Sequence, residues 1–278
     1  MQGAGNDFVL AESDDNRKDW SGLSQAICDR HYGIGADGLL VMSPSGTADV
    51  SMRIFNADGS ESDVCGNGLR CLVSYYADTR PAGTLPGTVK VETRAGIREA
   101  VIRYENSRIT DIKTGMGQPG LEETAIPVRP GRCSVDINGL FSCKVTAGGG
   151  EVTLYPVSMG NPHAVCFIGT QVAGFPLEQT GRDVAAYELF PEGANFEIAR
   201  VTDRTQIDAR VLERGVGETL ACGSGACAIA VAARLKGYCD DTVDIRLPGG
   251  VLTVEWNGAG EVFLSGPAET VFTGEWNR

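Results

Sequence analysis

The chain has 278 residues, of which 42% are hydrophobic and 22% are charged, as is usual for globular proteins. Its net charge of −12 argues against nucleic-acid binding, because the sequence has no basic stripe to neutralise phosphates. No apolar run approaches the roughly 20 residues needed to span a bilayer, so we expect no membrane association.

Cysteine usage points to a reducing compartment. The nine cysteines are an odd number, and a chain of 278 residues can build a core without a disulfide scaffold. The opening residues MQGAGNDFVL lack the basic stretch and apolar core of a secretory signal. We therefore expect a cytoplasmic protein.

Hydrophobic periodicity and turn residues predict many short strands and a few helices in the first half of the chain. The predicted helices cover 20–31 and 65–77. The predicted strands cover 7–11, 39–42, 50–55, 88–93, 98–104 and 108–113. A glycine-rich stretch at 115–120 is the best candidate for a domain junction.

The second half has the same character. Helices are predicted over 177–189 and 222–237. Strands are predicted around Val128 and Lys144, and over 152–157, 164–168, 196–201, 206–212, 243–247, 251–256 and 261–265. Each half is expected to hold a curled sheet with helices inside or against it.

Two stretches of the chain repeat each other around a cysteine, CGNGLRC at 65–71 and CGSGACA at 222–228. An offset of 157 residues places Cys65 on Cys222. In both copies the following apolar residues fall at i, i+3, i+4 and i+7, which predicts a helix beginning at each cysteine. The sequence therefore indicates two related halves, each with one cysteine at a helix start.

The start of a helix favours a reactive thiol. Unsatisfied backbone N–H groups and the helix dipole attract an anion there, so this position is expected to lower the pKa of the thiol and to bind a carboxylate. Two such thiols suit the inversion of an amino-acid α-carbon, since one sulfur could remove the α-proton and the other could return one to the opposite face. One cysteine must then be thiolate and the other thiol, and coupling between them would enforce that split.

Other motifs carry weaker signals. GIGADG at 33–38 matches the dinucleotide fingerprint, but a predicted helix precedes it and a strand follows it, so a glycine turn is favoured. The spacings of Cys65 with Cys71 and of Cys222 with Cys227 do not match zinc-binding pairs, so no metal site is predicted. No lysine lies in a context that suggests a Schiff base, and we expect no cofactor.

Six motifs together resemble the diaminopimelate epimerase family, within the cofactor-independent amino-acid racemases. They are GNDFV (5–9), GIGADG (33–38), FNADGSE (55–61), CGNGLRC (65–71), MGNPHAV (159–165) and ERGVGETLACGSGACA (213–228). The resemblance implies an α/β (α+β) fold of two pseudo-symmetric domains, each a curled, mostly antiparallel sheet around a central helix, with the active site in the interdomain cleft. It implies domains of 1–115 plus 265–278 and of 116–264. It also implies epimerisation of LL- to meso-diaminopimelate, in lysine and peptidoglycan precursor biosynthesis, without metal or cofactor.

The same resemblance implies roles for individual residues. Cys65 and Cys222 would be the acid/base thiols, and His163 with Glu213 would tune their pKa. The implied substrate-binding residues are Asn6, Asn56, Gly66, Asn67, Asn161, Asn195, Glu213, Arg214, Gly223 and Ser224. Phe272 matches a position that some members use in dimer contacts, so a homodimer is expected.

Two alternatives and one departure accompany this interpretation. A racemase of another amino acid, such as proline or histidine, is the nearest alternative, although Arg214 with the asparagines favours a substrate with a second carboxylate. A ligand-binding protein without catalysis, or a cysteine-based redox switch, would belong to a different class. Some family members carry a substrate-contacting glutamine where this chain has Gly38.

Overall fold

The chain folds into two compact units that are interleaved in sequence. The computed structural model describes residues 1–15, 17–63, 65–80, 87–106, 108–122, 124–129, 131–187 and 189–277. The first unit comprises Met1–Gly115 and Ser265–Arg278, and the second comprises Met116–Leu264. None of the helices among the described residues combines the length and apolar content needed to cross a membrane.

The first unit contains two of the four described α-helices, α1 (Trp20–Cys28) and α2 (Gly66–Asp78). Its strands are β1 (Gln2–Gly3), β2 (Asn6–Glu12), β3 (Gly38–Ser43), β4 (Val50–Asn56), β5 (Glu61–Ser62), β6 (Thr88–Thr93), β7 (Gly96–Glu105) and β8 (Arg108–Gly115). Strands β1 and β2 form a tight hairpin, since Ala4 and Gly5 both have positive φ, at 52° and 84°. The hairpin sets Asn6 at the start of β2.

The second unit contains α3 (Leu177–Ala186), α4 (Gly223–Leu235) and a short 3₁₀ helix (Val172–Gly174). Its strands are β9 (Ser134–Val135), β10 (Phe141–Ala147), β11 (Gly150–Ser158), β12 (Pro162–Phe167), β13 (Asn195–Asp203), β14 (Gln206–Glu213), β15 (Gly217–Thr219), β16 (Thr242–Leu247) and β17 (Gly250–Glu255). Strand β18 (Phe263–Gly266) runs through the point where the chain returns to the first unit.

The two units share one strand topology. In the first, β2 pairs parallel with β3, β3 pairs antiparallel with β4, and β4 pairs antiparallel with β5 and parallel with β6. In the second, β12 pairs parallel with β13, β13 pairs antiparallel with β14, and β14 pairs antiparallel with β15 and parallel with β16. Helices α1 and α3 occupy the first connection, and α2 and α4 the last. The predicted α/β fold of two similar halves is confirmed.

Each cysteine helix is buried in its own unit. Leu69, Leu72 and Val73 of α2 are at most 1% exposed and pack with Ile54 and other apolar residues of the surrounding strands. Helix α4 is buried from Gly225 to Ala233, and its alanines allow neighbouring strands to approach closely. Both helices are therefore rigid supports for the residues at their N-termini.

The offset that relates the two cysteines also relates two ion pairs. Arg53 donates from Nε and Nη2 to the carboxylate of Glu61, at 2.7 and 3.0 Å. Arg210 donates in the same way to Glu218, at 2.7 Å for both bonds. Each pair joins the two strands that lead into a cysteine helix, and its bidentate geometry fixes their register. The hydrogen bond from arginine lowers the pKa of Glu61 and of Glu218 below the ordinary value.

The structure corrects the sequence prediction at three kinds of position. Val128 is buried but lies outside any strand, because the preceding Pro127 has no N–H to donate to a ladder. Helices α1 and α3 end at Cys28 and Ala186, three residues before the predicted ends at 31 and 189. Cys133 and Cys143 form a disulfide, which the prediction of a chain without disulfides missed.

We expect Arg210→Met to lower the free energy of unfolding by about 2 kcal/mol at neutral pH, because hydrogen bonds to a charged group are lost. Arg210 also donates to the carbonyls of Val172 and Phe175, at 2.8 and 2.9 Å. The pKa of Glu218 is lower in the folded protein than in the unfolded chain. The ion pair therefore adds to the free energy of unfolding at a pH above the pKa of the unfolded chain, and this stabilisation is lost as the pH falls through the pKa of the folded protein. Urea unfolding should therefore show that the difference in the free energy of unfolding between wild type and Arg210→Met becomes smaller at acid pH.

Lys144→Met is the matched control, because the Lys144–Glu151 pair has side chains that are 70% and 64% exposed. It should change the free energy of unfolding very little. A difference for Arg210→Met that stays constant between neutral and acid pH would contradict the assigned role of the ion pair.

Candidate active site

Cys65 occupies the N-cap of α2 with extended backbone, at φ −135° and ψ 123°. Its carbonyl accepts the N–H of Leu69 at 2.8 Å, so the helix is fully formed from this residue onward. The N–H groups of the first turn have no acceptor within the helix and are turned toward whatever lies beyond its end. The side chain of Cys65 does not cap them, and its sulfur lies 3.8 Å from Asn6 Oδ1.

Asparagines of the first unit gather around this helix end. Asn67 donates from Nδ2 to Asn6 Oδ1 at 3.2 Å, and Asn6 donates from Nδ2 to Asp37 Oδ2 at 2.6 Å. The predicted residue Asn56 is exposed at the end of β4, where its Nδ2 donates to the hydroxyls of Ser60 and Ser62 at 2.8 and 3.1 Å. The first unit thus joins Asn6, Asn67 and Cys65 directly and holds Asn56 in a separate hydrogen-bonded group.

Cys222 occupies the equivalent N-cap of α4, at φ −124° and ψ 114°, and is 5% exposed. Its sulfur lies 3.5 Å from Ser224 Oγ. Burial raises the pKa of the Cys222 thiol well above its ordinary value, and the negative charges of Glu213 and Glu197 raise it further. The prediction that the helix start lowers the pKa is wrong for Cys222, because desolvation and two carboxylates outweigh the helix dipole.

Glu197 is a residue of this site that the sequence analysis missed. It is fully buried on β13, and a Cβ added to Gly225 would lie 3.1 Å from its Oε1 and 3.4 Å from the sulfur of Cys222. Gly225 is therefore required for the close approach of the carboxylate and the thiol. The sequence did contain a signal for Glu197, because it lies between the apolar residues Phe196 and Ile198 in a predicted strand. A glutamate buried in such a strand needs a hydrogen-bond partner.

The partner of Glu197 is His163, which is also fully buried. His163 Nδ1 lies 2.6 Å from Glu197 Oε1, and His163 Nε2 lies 3.0 Å from Asn161 Oδ1. Asn195, which opposes His163 in the parallel β12–β13 pair, brings its Nδ2 within 3.5 Å of His163 Nδ1. The structure thus brings Asn161, His163 and Asn195 together, with Glu197 rather than Glu213 against the imidazole.

Glu213 and Arg214 follow the end of β14. Glu213 Oε1 accepts from the hydroxyl of Thr219 at 2.6 Å. The backbone N–H of Arg214 donates to Asn195 Oδ1 at 2.8 Å, and its Nη1 donates to the carbonyl of Glu192 at 2.7 Å. A guanidinium carries five N–H donors, so a single carbonyl leaves donors for an anionic ligand.

Gly38 begins β3 and faces Asn56 across the β3–β4 pair. A Cβ at this position would lie 2.8 Å from the carbonyl of Phe55, so the strand pairing leaves no room for a side chain. The surrounding GIGADG motif is a loop between α1 and β3, with no helix after it, so the interpretation as a glycine turn is confirmed.

These groups define what the site can do chemically. Each unit presents a thiol beside the N–H groups of the first turn of a helix, which is a setting for a carboxylate next to an acid or base. Small residues follow both thiols, Gly66 and Asn67 in one helix and Gly223 and Ser224 in the other. A carboxylate can approach the backbone closely at both places.

Sequence comparisons relate the chain to proteins of one family. The family model described as "Diaminopimelate epimerase" matches residues 1–121 and 155–271. A diaminopimelate epimerase from Pelotomaculum thermopropionicum is 40% identical over 99% of this chain and 96% of its own length. One from Desulfovibrio desulfuricans is 42% identical with the same coverage of both chains. One from Methanococcus maripaludis is 40% identical over 99% of this chain and 97% of its own length.

Solved structures of lower identity share the fold. A PhzF-family phenazine biosynthesis protein from Bacillus anthracis has a TM-score of 0.66 at 16% identity, over 96% of this chain and 91% of that one. A hydroxyproline epimerase from Agrobacterium vitis, solved with trans-4-hydroxy-L-proline, has a TM-score of 0.66 at 13% identity, over 95% and 87%. The fold is therefore that of these proteins, while the sequence relatives are more specific: the chain belongs to the diaminopimelate epimerase family.

Proposed function

We propose that this protein interconverts LL- and meso-diaminopimelate by a two-base mechanism in which Cys65 and Cys222 are the acid and the base. The observation that carries the proposal is the identity of about 40%, across 99% of the chain, to proteins named diaminopimelate epimerase. The two cysteine-capped helices supply a matching chemistry. One thiolate removes the α-proton, and the other thiol donates a proton to the opposite face of the carbon, which inverts its configuration.

The first turns of α2 and α4 are the proposed site of the reacting carboxylate. The backbone N–H groups of Gly66, Asn67, Gly223 and Ser224 would donate to its oxygens. Negative charge grows on this carboxylate as the α-proton leaves, and helix N–H groups are already oriented to stabilise it. The protein thus supplies by fixed dipoles the stabilisation that a cofactor supplies in other racemases, and the proposal includes neither a metal nor a cofactor.

The environment of Cys222 constrains how the thiolate forms. Because burial and the carboxylates of Glu213 and Glu197 raise its pKa, a thiolate there requires a cation close by. The α-ammonium of the amino-acid substrate is the cation that binding itself brings. We propose that substrate binding assists the deprotonation, with Glu213 accepting a hydrogen bond from the ammonium and His163 adjusting the charge balance through Glu197.

The distal carboxylate of diaminopimelate is assigned to Arg214 with Asn56, Asn161 and Asn195, and Asn6 is proposed to contact the substrate near Cys65. The support is that the backbone N–H of Arg214 donates to Asn195 Oδ1 at 2.8 Å and that His163 contacts both Asn195 and Asn161. The Arg214 guanidinium, which donates to the carbonyl of Glu192, can recognise a carboxylate bidentately. A racemase of proline or histidine, whose substrate has no second carboxylate, is not favoured.

Two further proposals concern the setting of the protein. We propose a cytoplasmic enzyme of lysine and peptidoglycan precursor biosynthesis, because seven of the nine cysteines are free thiols, as a reducing compartment favours, and the Cys133–Cys143 disulfide is the exception. We also propose a homodimer with Phe272 in the contact. Its side chain is 61% exposed beside Val271 at 65%, and burying adjacent apolar side chains favours association.

Single substitution of either cysteine should abolish epimerisation. We expect Cys65→Ser and Cys222→Ser each to lower kcat by about 1,000-fold or more, because each removes one of the two proton-transfer groups. The measurement is NMR of diaminopimelate in deuterated water, which reports both inversion and deuterium incorporation at the α-carbon. Cys239→Ala, at a buried cysteine outside the site, is the control and should epimerise normally. A kcat within about tenfold of the wild-type value in either serine variant would refute the two-base mechanism.

Arg214→Lys should raise KM for diaminopimelate by about tenfold or more, with a smaller change in kcat, because an ammonium cannot bind a carboxylate bidentately. Steady-state kinetics with diaminopimelate and with proline would test this. Arg182→Lys on the exposed face of α3 is the matched control and should leave KM unchanged. An unchanged KM in Arg214→Lys, or turnover of proline by wild type, would remove the assignment of the distal carboxylate.

A further inference from the structure

Arg70 is a fully buried cation for which the proposed reaction has no use. It lies on α2, five residues after Cys65, and has 0% exposure. Its Nη2 donates to Asn67 Oδ1 at 2.7 Å, and Nη1 and Nε lie near the carbonyls of Gly66 and Pro267 at 3.4 and 3.5 Å. Burying a guanidinium is costly unless its donors are satisfied, and the bond to Asn67 is the shortest of these three contacts.

The bond from Arg70 fixes which way two amide groups face. A guanidinium only donates, so Asn67 must turn its oxygen toward Arg70 and its nitrogen toward Asn6. Asn6 therefore receives a donor from Asn67, at 3.2 Å, and must present its own oxygen there. At the far end the Asn6 nitrogen donates to the carboxylate of Asp37 at 2.6 Å, and a carboxylate only accepts. With a cation at one end and an anion at the other, the orientation of both amides is determined by charge.

The result of this orientation falls on Cys65. The oxygen of Asn6, and not its nitrogen, faces the Cys65 sulfur at 3.8 Å. A thiol can donate its proton to that oxygen, whereas a thiolate would meet the negative end of the amide dipole. An acceptor in this position therefore stabilises the protonated form.

We propose that Arg70 is a positioning residue for Cys65: through Asn67 and Asn6 it holds an oxygen acceptor against the thiol and so retains the proton on Cys65 until substrate binds. This series of contacts from Arg70 to Cys65 is termed the amide relay. Only the description of Cys65 as a catalytic thiol rests on the proposed function. The relay itself consists of contacts within the protein.

Among the described residues, the second half of the chain shows no counterpart of the relay. The repeat places Cys227 at the position of Arg70 and Ser224 at the position of Asn67. There the hydroxyl of Ser224 contacts the Cys222 sulfur directly at 3.5 Å, and the buried charge nearby is the carboxylate of Glu197. The relay thus gives Cys65 surroundings that its twin lacks.

Other charged groups near Cys65 act on the thiol without passing through the relay. Direct attraction between the Arg70 cation and a Cys65 thiolate opposes the relay, since it favours the deprotonated form. Other charged groups on the elements around Cys65 include the Met1 ammonium, Asp7, Glu12, Arg30, Asp37, Arg53, Glu61, Asp63, Asp78 and Arg94. An experiment must therefore separate the relay from the direct charge of Arg70.

A double-mutant cycle makes that separation. Cys65 is alkylated with iodoacetamide over a range of pH in a Cys222→Ser background, and the modified Cys65 peptide is quantified by mass spectrometry. We expect Asn6→Ala to speed alkylation near neutral pH by about threefold or more, because the acceptor is removed without a change in charge. Arg70→Met should change the rate of Cys65 alkylation by a factor that differs about threefold between the wild-type and Asn6→Ala backgrounds. The reason is that only the wild-type background contains the intact relay.

Arg70→Lys should restore most of the wild-type rate, since its ammonium can still donate to Asn67 Oδ1. Arg80→Met, an exposed arginine just past the end of α2, is the control and should have no effect in either background. Should Arg70→Met fail to fold, Asn67→Ala in the same two backgrounds breaks the relay while keeping the cation. The relay would be overturned if Arg70→Met changed the rate of Cys65 alkylation equally in both backgrounds, in variants whose circular dichroism matches that of the wild type. The assay contains no substrate, so its failure leaves the proposed epimerase activity untouched, and the reverse also holds.

Discussion

The fixed N-terminus of a buried helix is the constraint on which the rest of the structure depends. At Cys65 and at Cys222 the backbone is extended and then turns directly into a helix, so the thiol and the free N–H groups of the first turn lie side by side. A helix that shifted along its axis would move its thiol and the N–H groups of its first turn together. The strands around each helix, within its own unit, prevent such a shift. The most buried part of each unit therefore supports the thiol at the helix N-terminus.

The two halves use the same scaffold to hold two chemically different thiols. Cys65 meets an amide oxygen whose orientation is set by a buried cation, and Cys222 meets a serine hydroxyl with buried carboxylates behind it. A reaction that runs between mirror-related configurations needs two groups of similar reach but not of equal proton affinity. The two units share one strand topology, but different residues surround each thiol. Those residues provide the difference in proton affinity.

Much of the fold could be predicted from the sequence because its signals are local. Alternation, turn glycines and the repeat around the cysteines located the longer strands and both cysteine helices, but not the short strands β1, β5, β9 and β15. The failures have physical causes. Val128 has the apolar character of a strand residue, but the preceding Pro127 has no N–H to donate to a strand partner. The Cys133–Cys143 disulfide depends on the distance between the two residues in the fold, which their spacing in the sequence does not indicate. In the site, the cysteines followed from their motif, whereas Glu197 was missed: its apolar neighbours indicated burial, but its partner His163 lies on another strand, which the sequence does not indicate.

Buried charge near the thiols shows where the fold gives up stability for function. Glu197 Oε2 is buried without a hydrogen-bond partner among the described residues, although its other oxygen binds His163 at 2.6 Å. An unsatisfied buried carboxylate oxygen costs free energy that a neutral side chain would avoid. Arg70 imposes a similar desolvation cost in the other unit, with better compensation. Because a well-packed apolar residue often stabilises a buried position at least as well, we attribute these charges to their proposed effects on the adjacent thiols and not to the stability of the core.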